Sequence, residues 1–271
     1  CAKGDEWRRA LDLLDEMRSR GLVPNQITYS SVISACAKGG ESQRALDLLD
    51  EMRSSGLVPD VITYSSVINA CAKGGESQRA LNLLDEMRSR GLAPNEISYS
   101  LHHGTLGRAA AALAKPHAAP ISLRLRTSTN ILVRTLPSKT SRGKQRGTQD
   151  ANIALKRAYN AKIKAANWRE ALRLLQVMRA KGVEPGVINY SCAISRCGRD
   201  GKWQCALDLL DEMRSSGLVP NVITYSSVIN ACAKGDEWQR ALNLLDEMRR
   251  CGLAPNEITY SSVINACAKG D

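Results

Sequence analysis

The chain has 271 residues, 43% of them hydrophobic and 24% charged, which is typical of a folded globular protein and excludes overall disorder. Its formal net charge is +11, but residues 101–149 contain nine Lys and Arg with no Asp or Glu and carry +9 of that total. The rest of the chain is nearly neutral, so the overall charge is weak evidence for a nucleic-acid partner. No run of 18 apolar residues occurs, and neither a membrane-spanning helix nor a membrane partner is expected.

A repeat of 35 residues organises most of the chain. The segment VITYSSVINACAKG at residues 61–74 recurs unchanged at residues 222–235, and related segments begin at Gln26, Val187 and Glu257. Self-similarity at such a period is typical of stacked helical hairpins. The complete units are 26–60, 61–95, 152–186, 187–221 and 222–256.

The repeats fall into two blocks. We predict an N-terminal repeat block over residues 1–100, a basic insert over residues 101–151 and a C-terminal repeat block over residues 152–271. Both ends of the chain cut through a repeat, and a repeat stack needs capped ends to shield its core. We therefore expect the sequence to be a piece of a longer protein or an inexact gene model.

Each complete unit contains two amphipathic patterns, and we number its positions from 1 at residues such as Val61. In that unit, apolar residues recur at helical spacing as Ile62, Tyr64, Val67, Ile68 and Cys71, and again as Ala80, Leu81, Leu83, Leu84 and Met87. Gly74 and Gly75 turn the chain between the helices, Gly91 caps the second helix, and Pro94 prevents its continuation. One hairpin cannot bury its apolar stripes alone. We therefore predict an all-α solenoid of stacked helical hairpins, with the first helices lining one face.

Cysteines and aromatic residues follow the same period. All four Trp are at position 17 and six of the seven Tyr are at position 4, which favours core packing over base stacking. Six cysteines share one phase, and pairs 35 residues apart lack the close grouping of a zinc site. We interpret them as reduced structural thiols and expect neither a metal nor a cofactor. These cysteines are Cys1, Cys36, Cys71, Cys197, Cys232 and Cys267.

The basic insert interrupts a unit that begins at residue 96. Three interpretations remain open: a flexible basic loop, an untranslated or misassembled segment, or an arm that grips RNA. Because the insert lacks a 3.6-residue apolar stripe and mixes prolines with like charges, we predict that it is poorly ordered. Its deletion should leave the helicity of the repeats intact.

The unit VITYSSVINACAKGGESQRALNLLDEMRSRGLAPN, residues 61–95, resembles the pentatricopeptide repeat in its plain 35-residue subclass. The tetratricopeptide repeat is a similar hairpin, but its period is 34 and its signature positions differ. The resemblance implies a right-handed superhelix that binds single-stranded RNA at about one base per repeat. It also implies a role in RNA processing, stability or translation in a chloroplast or mitochondrion, although no targeting signal is visible in this sequence.

In that family, positions 5 and 35 of each repeat meet the Watson–Crick edge of one base. An amide at position 35 suits adenine and a carboxylate suits guanine, so the Asn units should favour A and the Asp60 unit G. The unit 152–186 has Lys156 and Gly186 at these positions and should read no base specifically. The base-reading residues that the resemblance implies are Ser30, Asp60, Ser65, Asn95, Ser191, Asn221, Ser226 and Asn256.

Two further positions complete the predicted site. Position 2, which packs on base faces in the family, is isoleucine here, with core packing as the alternative; the residues are Ile27, Ile62, Ile188, Ile223 and Ile258. Position 13 is always cationic, which fits phosphate contacts, with solvated charge at a helix end as the alternative. These cations are Lys38, Lys73, Lys164, Arg199 and Lys234.

No catalytic residue is predicted. His102, His103 and His117 lack the His-x-Glu and Cys-x-x-Cys context of a deaminase, and no glycine-rich phosphate loop occurs. We favour a non-enzymatic RNA-binding protein with single-stranded RNA as partner and no small-molecule substrate. A scaffold for protein partners and an enzyme whose catalytic domain lies outside this sequence are the alternatives.

Overall fold

The computed structural model describes residues 6–94 and 146–270, with side chains from residue 153 onward in the second range. These residues form twelve helices and no strand. The helices are α1 Glu6–Ser19, α2 Gln26–Lys38, α3 Ser42–Ser54, α4 Val61–Lys73, α5 Ser77–Ser89, α6 Arg146–Ala165, α7 Trp168–Ala180, α8 Val187–Arg199, α9 Trp203–Ser215, α10 Val222–Lys234, α11 Trp238–Arg250 and α12 Glu257–Lys269.

The helices pair into hairpins with the predicted boundaries. α4 and α5 are joined through Gly74 and Gly75, and Gly75 has a φ of +77°. Beyond α5, Gly91 has a φ of +74°, and the Leu92 N–H donates to the Met87 carbonyl at 3.0 Å. This is the bond that ends a helix at a left-handed glycine. The predicted turn and cap are therefore confirmed.

The first helices of the hairpins stack directly on one another. Their order in space is α6, α8, α10, α12, α2 and α4, and most second helices pack between two successive first helices, as α3 does between α2 and α4. The last helix along the chain, α12, contacts the first two, α1 and α2. The described residues confirm the predicted all-α hairpin solenoid, while the handedness of its superhelix remains a prediction.

Residues of both helices in each hairpin form the core. The described position-4 tyrosines of the repeats are between 0 and 2% exposed, as are Cys36, Cys71 and Cys232 at position 11. Burial raises the pKa of each of these three thiols to about 11, so they stay protonated and unreactive at neutral pH. The structural interpretation of the described cysteines at this phase is confirmed, whereas Cys1 lies outside the described residues. Ile62 does not belong to the predicted apolar stripe, because it is exposed.

Each described tyrosine hydroxyl at position 4 joins an ion pair between second helices. Arg53 donates to the Tyr64 hydroxyl at 3.3 Å and pairs with Glu86 at 2.7 Å, and Tyr64 donates to Glu86 at 3.0 Å. Burial lowers the pKa of Arg53, but the hydrogen bond with Tyr64 and the charge of Glu86 outweigh it and raise that pKa. The same triad recurs as Arg18–Tyr29–Glu51, Arg179–Tyr190–Glu212, Arg214–Tyr225–Glu247 and Arg249–Tyr260–Glu16.

The tryptophans are half-buried against the core, which confirms the packing interpretation, and three of them lie against a glycine at position 14 of the next repeat. A Cβ built on Gly235 would lie 2.1 Å from Trp203 Cδ1. Where Ser42 replaces tryptophan, a Cβ on Gly74 would lie 3.1 Å from the Ser42 Oγ. In these three layers, the tryptophan leaves no room for a side chain at position 14 of the following repeat.

We expect Gly235→Ala to lower the free energy of unfolding by about 1–3 kcal/mol, because the new methyl group overlaps the Trp203 ring and forces the two helices apart. Urea denaturation measures the loss. Gly74→Ala is the matched control, since both glycines have negative φ values, of −91° and −77°, that alanine adopts without strain. Equal losses in the two variants would show that the tryptophan contact is not the cause.

Candidate nucleic-acid interface

The stacked first helices expose an isoleucine at position 2 of each described repeat. Ile27, Ile62, Ile188, Ile223 and Ile258 are between 62 and 65% exposed. Large aliphatic side chains that are exposed once per layer form an apolar row rather than scattered surface residues. The core-packing alternative is therefore wrong for these five residues. Their contact with base faces remains a prediction.

Side chains at position 35 cap the first helix of the next repeat. The Asp60 Oδ1 accepts from the Thr63 N–H at 2.8 Å and from the Thr63 hydroxyl at 2.8 Å. Asn221 and Asn256 accept from the N–H of the corresponding threonine at 3.0 Å. We did not predict this capping role from the sequence. Its signal was present, because Asn or Asp immediately before an apolar helical pattern is a strong N-cap residue.

Capping determines which atom at position 35 faces outward. A backbone N–H can only donate, so the atom that meets it must be the oxygen. The capping oxygen of asparagine is thus occupied, and the amide NH₂ is the group left to meet a ligand. Aspartate offers its second oxygen, and the Asp60 Oδ2 accepts from the Gln26 Nε2 at 3.3 Å. We expected the amide of a position-35 asparagine both to donate to a base and to accept from it. Because the cap occupies the amide oxygen, only donation by the NH₂ group remains.

The serines at position 5 support the residue at position 35. Ser65, Ser191 and Ser226 are between 5 and 7% exposed, and Ser30 is half-buried. The Ser226 Oγ lies 2.7 Å from the Thr259 Oγ1, which in turn donates to the Asn256 Oδ1 at 2.9 Å. Such a chain of hydrogen bonds fixes the orientation of the asparagine. Direct base contact by these serines remains a prediction.

A groove shows that the predicted positions share one surface. It has a volume of about 320 Å³ and lies where α12, α2 and α4 meet. Ile27 and Ile62 line it at position 2, together with Ser30 at position 5 and Asp60 at position 35. Lys269, at position 13 of the neighbouring repeat, also lines it. The structure therefore brings an apolar pair, a polar pair and a cation together.

The cations at position 13 lie at the C-terminal ends of the first helices. Lys38, Lys73, Lys164, Arg199 and Lys234 are all exposed. The Lys234 Nζ donates to the Arg199 carbonyl at 3.0 Å, so it also interacts with the negative end of the neighbouring helix dipole. Phosphate contact and helix-end stabilisation both fit this placement, and the phosphate role remains a prediction.

The unit 152–186 departs from the other repeats. Gly186 has no side chain to cap α8, and the Asn189 Oδ1 instead accepts from the Gly186 N–H at 2.9 Å. The Lys156 carbonyl accepts from the Asn189 amide at 3.4 Å. Nothing in this arrangement offers a polar pair equivalent to those of the other units, and its lack of base specificity stays a prediction.

Some predictions fall outside the described residues, namely those on Asn95, the three histidines and residues 101–145 of the basic insert. Residues 146–151, which we placed in the poorly ordered insert, instead form the first turns of α6. Within residues 6–94 and 153–270, no group of His, Cys, Asp or Glu side chains could hold a metal ion. Over the described part of the chain, every helix is too short or too polar to cross a membrane.

A stack of 35-residue helical hairpins with one exposed polar and apolar set per layer defines an α-solenoid repeat protein. The chain belongs to the pentatricopeptide repeat family. A family model described as "Pentatricopeptide repeat domain" matches residues 4–41, 12–74 and 47–107, and one described as "PPR repeat family" matches residues 185–234 and 231–269. Comparison with curated proteins finds no match.

Solved structures of this family are similar to the chain. Maize pentatricopeptide repeat protein PPR10 is 29% identical over 93% of this chain, with a TM-score of 0.36. Its complex with an 18-nt psaJ RNA element is 22% identical over 98% of the chain, with a TM-score of 0.37. The PPR domain of Arabidopsis thaliana protein-only RNase P 1 in complex with tRNA is 16% identical over 84% of this chain and 90% of that one, with a TM-score of 0.33. The chain covers only 33% to 36% of the length of the two PPR10 structures.

Proposed function

We propose that this chain binds single-stranded RNA in a sequence-specific manner, with one base at each layer that carries Asn or Asp at position 35. The observation that carries the proposal is the groove in which exposed isoleucines flank a polar pair. Membership of the pentatricopeptide repeat family supports RNA as the ligand, since such repeats read one base each. The family also supports an organellar site of action and a role in RNA processing, stability or translation.

The geometry suggests how a base is held. A base that enters between Ile27 and Ile62 packs its faces against two aliphatic side chains, and its edge meets Asp60. The Asp60 Oδ2 accepts from a donor such as the N1–H of guanine, whereas the amide of Asn221 or Asn256 donates to an acceptor such as the N1 of adenine. Discrimination therefore depends on whether the outer atom at position 35 donates or accepts. This chain's role in the proposal is binding, without a catalytic step.

A second candidate function is a scaffold for protein partners. The exposed isoleucines form an apolar surface, and Val58 and Val219 are further exposed apolar side chains, at 70% and 78%. A protein partner would use that surface without a response to the base sequence. Binding measurements with RNA therefore separate the two functions.

We expect the Lys38→Ala, Lys73→Ala and Lys234→Ala triple variant to weaken binding to all single-stranded RNAs alike. Each phosphate contact that is lost should reduce the slope of log K against log salt by about 0.7. Titration of labelled RNA at several salt concentrations measures this slope. The matched control removes three exposed cations of the second-helix side, Arg173, Lys181 and Arg250. An unchanged slope in the first variant would assign its lysines to helix-end stabilisation alone.

A further inference from the structure

We infer that the two partial repeats at the ends of this chain form one complete repeat between them, and that this composite repeat reads a base through Asn25 supported by Ser261. α12 is its first helix and α1 its second. The base-reading part rests on the proposed function, whereas the pairing of the two helices rests on their contacts alone.

The partial units supply complementary positions of one 35-residue repeat. Residues 257–270 occupy positions 1 to 14, and residues 6–25 occupy positions 16 to 35. Together these described residues contain every position of a complete unit except position 15.

The composite repeat packs as the continuous ones do. α1 lies between α12 and α2, just as α3 lies between α2 and α4. Ala10, Leu14 and Met17 of α1 are fully buried, as are Val263 and Ile264 of α12. Burial of this extent leaves neither helix with an open apolar face at their contact.

The triad between layers is also present at the composite repeat. Tyr260 donates to Glu16 at 2.8 Å, and Arg249 pairs with the same carboxylate. Within a continuous repeat, Tyr29 donates to Glu51 at 3.0 Å, and Arg18 pairs with that carboxylate. The same three side-chain types thus meet in the same way, although Tyr260 and Glu16 are far apart in the chain.

The base-reading pair is assembled across the two chain ends. The Asn25 Oδ1 accepts from the Thr28 N–H at 3.0 Å, and the Thr28 Oγ1 lies 2.8 Å from the Ser261 Oγ. Ser226, Thr259 and Asn256 form the same chain of hydrogen bonds. The Asn25 amide also donates to the Ser261 Oγ at 3.5 Å, and Asn25 itself is exposed. Asn25 therefore offers a donor to a ligand, as Asn221 and Asn256 do.

The composite repeat changes the order in which bases are read. Without it, units 187–221 and 222–256 would read A-A, and units 26–60 and 61–95 would read G-A as a separate step. With the composite repeat, the adenine read by Asn25 lies between these two steps and joins them into one run of five bases, A-A-A-G-A. The polarity of the run on the RNA is left open, so both A-A-A-G-A and A-G-A-A-A belong in the test.

The experiment measures binding of wild type and Asn25→Asp to the five-base run and to the same run with its middle A changed to G. We expect wild type to prefer the middle A by about tenfold and the variant to prefer the middle G. The helix cap should be kept, because Asp60 caps α4 in the same way. Asn221→Asp is the matched control. Asn221 reads the A at one end of the run, so this variant should shift preference at that base only.

The outcomes separate the two proposals. If Asn221→Asp shifts its base but Asn25→Asp leaves the middle base unchanged, the composite repeat is overturned and the proposed function stands. If neither variant binds single-stranded RNA with any preference, the proposed function fails. The pairing of the helices is then decided by a measurement without RNA.

That measurement is a double-mutant cycle for thermal unfolding with Glu16→Gln and Tyr260→Phe. The control cycle uses Glu51→Gln and Tyr29→Phe within a continuous repeat. We expect equal coupling, seen as equal non-additivity in Tm, in a protein that light scattering shows to be a monomer. Additive effects in the first cycle alone would overturn the pairing. A dimer with intact coupling would show that the helices pair between two copies, which would overturn closure within one chain.

Discussion

Asn221→Asp together with Asn256→Asp is expected to move RNA preference from an A-A step to a G-G step. Each amide presents a donor outward and each aspartate would present an acceptor, so the favourable edge changes from the N1 of adenine to the N1–H of guanine. By comparison with bidentate base contacts in DNA, the discrimination is about 1–3 kcal/mol per base. Fluorescence anisotropy with A-A and G-G steps in one RNA context measures it.

The design leaves the fold unchanged, which makes the result easy to interpret. Asp and Asn are equally good N-cap residues, and Asp60 caps α4 with the bonds that Asn221 and Asn256 make. Melting temperatures should therefore agree between wild type and variant. If the two proteins rank the A-A and G-G RNAs identically, position 35 acts as a cap alone, and the scaffold for protein partners becomes the better proposal.

Deletion of residues 101–145 is expected to give a dimer or larger species, in place of the monomer that the composite repeat implies, while helicity stays intact. With α12 packed on α1, residues 94 and 146 belong to opposite ends of the described stack. Five spacings of about 8–10 Å separate the first helices α4 and α6, or about 40–50 Å in all. The six remaining residues reach about 20 Å when extended. The shortened chain cannot close on itself, so α12 must pair with α1 of a second copy.

Light scattering at micromolar concentration measures the mass, and circular dichroism measures the helicity. The control replaces residues 101–145 by a Gly/Ser segment of equal length, which restores the reach without the basic sequence and should restore the monomer. A deletion variant that stays monomeric with the melting temperature of wild type would show that α1 and α12 do not need each other.

The hairpins themselves could be predicted from the sequence because their signals are local. Apolar spacing defines α4 and α5, and Gly91 marks the end of α5 since only a left-handed residue fits there. The exposure of Ile62 could not be predicted from apolar spacing, because a helical pattern does not show how wide the buried stripe is; only the family resemblance implied it. The cap made by Asn256 could have been predicted, since amide side chains before a helix start have one dominant structural role.

The pairing of α12 with α1 depends on information that is not local. Each partial unit indicates only that a repeat is incomplete. The sequence does not indicate which helix packs against it. Glu16 and Tyr260 occupy the same repeat positions as Glu51 and Tyr29. Because they lie near opposite ends of the sequence, the repeat pattern alone does not indicate that they contact each other. Assignment of Asn25 and Ser261 to one base required the contact between them.

The position of α1 and α12 within the stack affects how readily these helices open. The described residues form six layers, and α1 and α12 share the fourth of them, with a neighbouring layer on each side. A layer of a repeat stack is stabilised by each neighbour that it contacts. Because this layer has two such interfaces, α1 and α12 should open only with the surrounding stack, although the two helices lie far apart in the sequence.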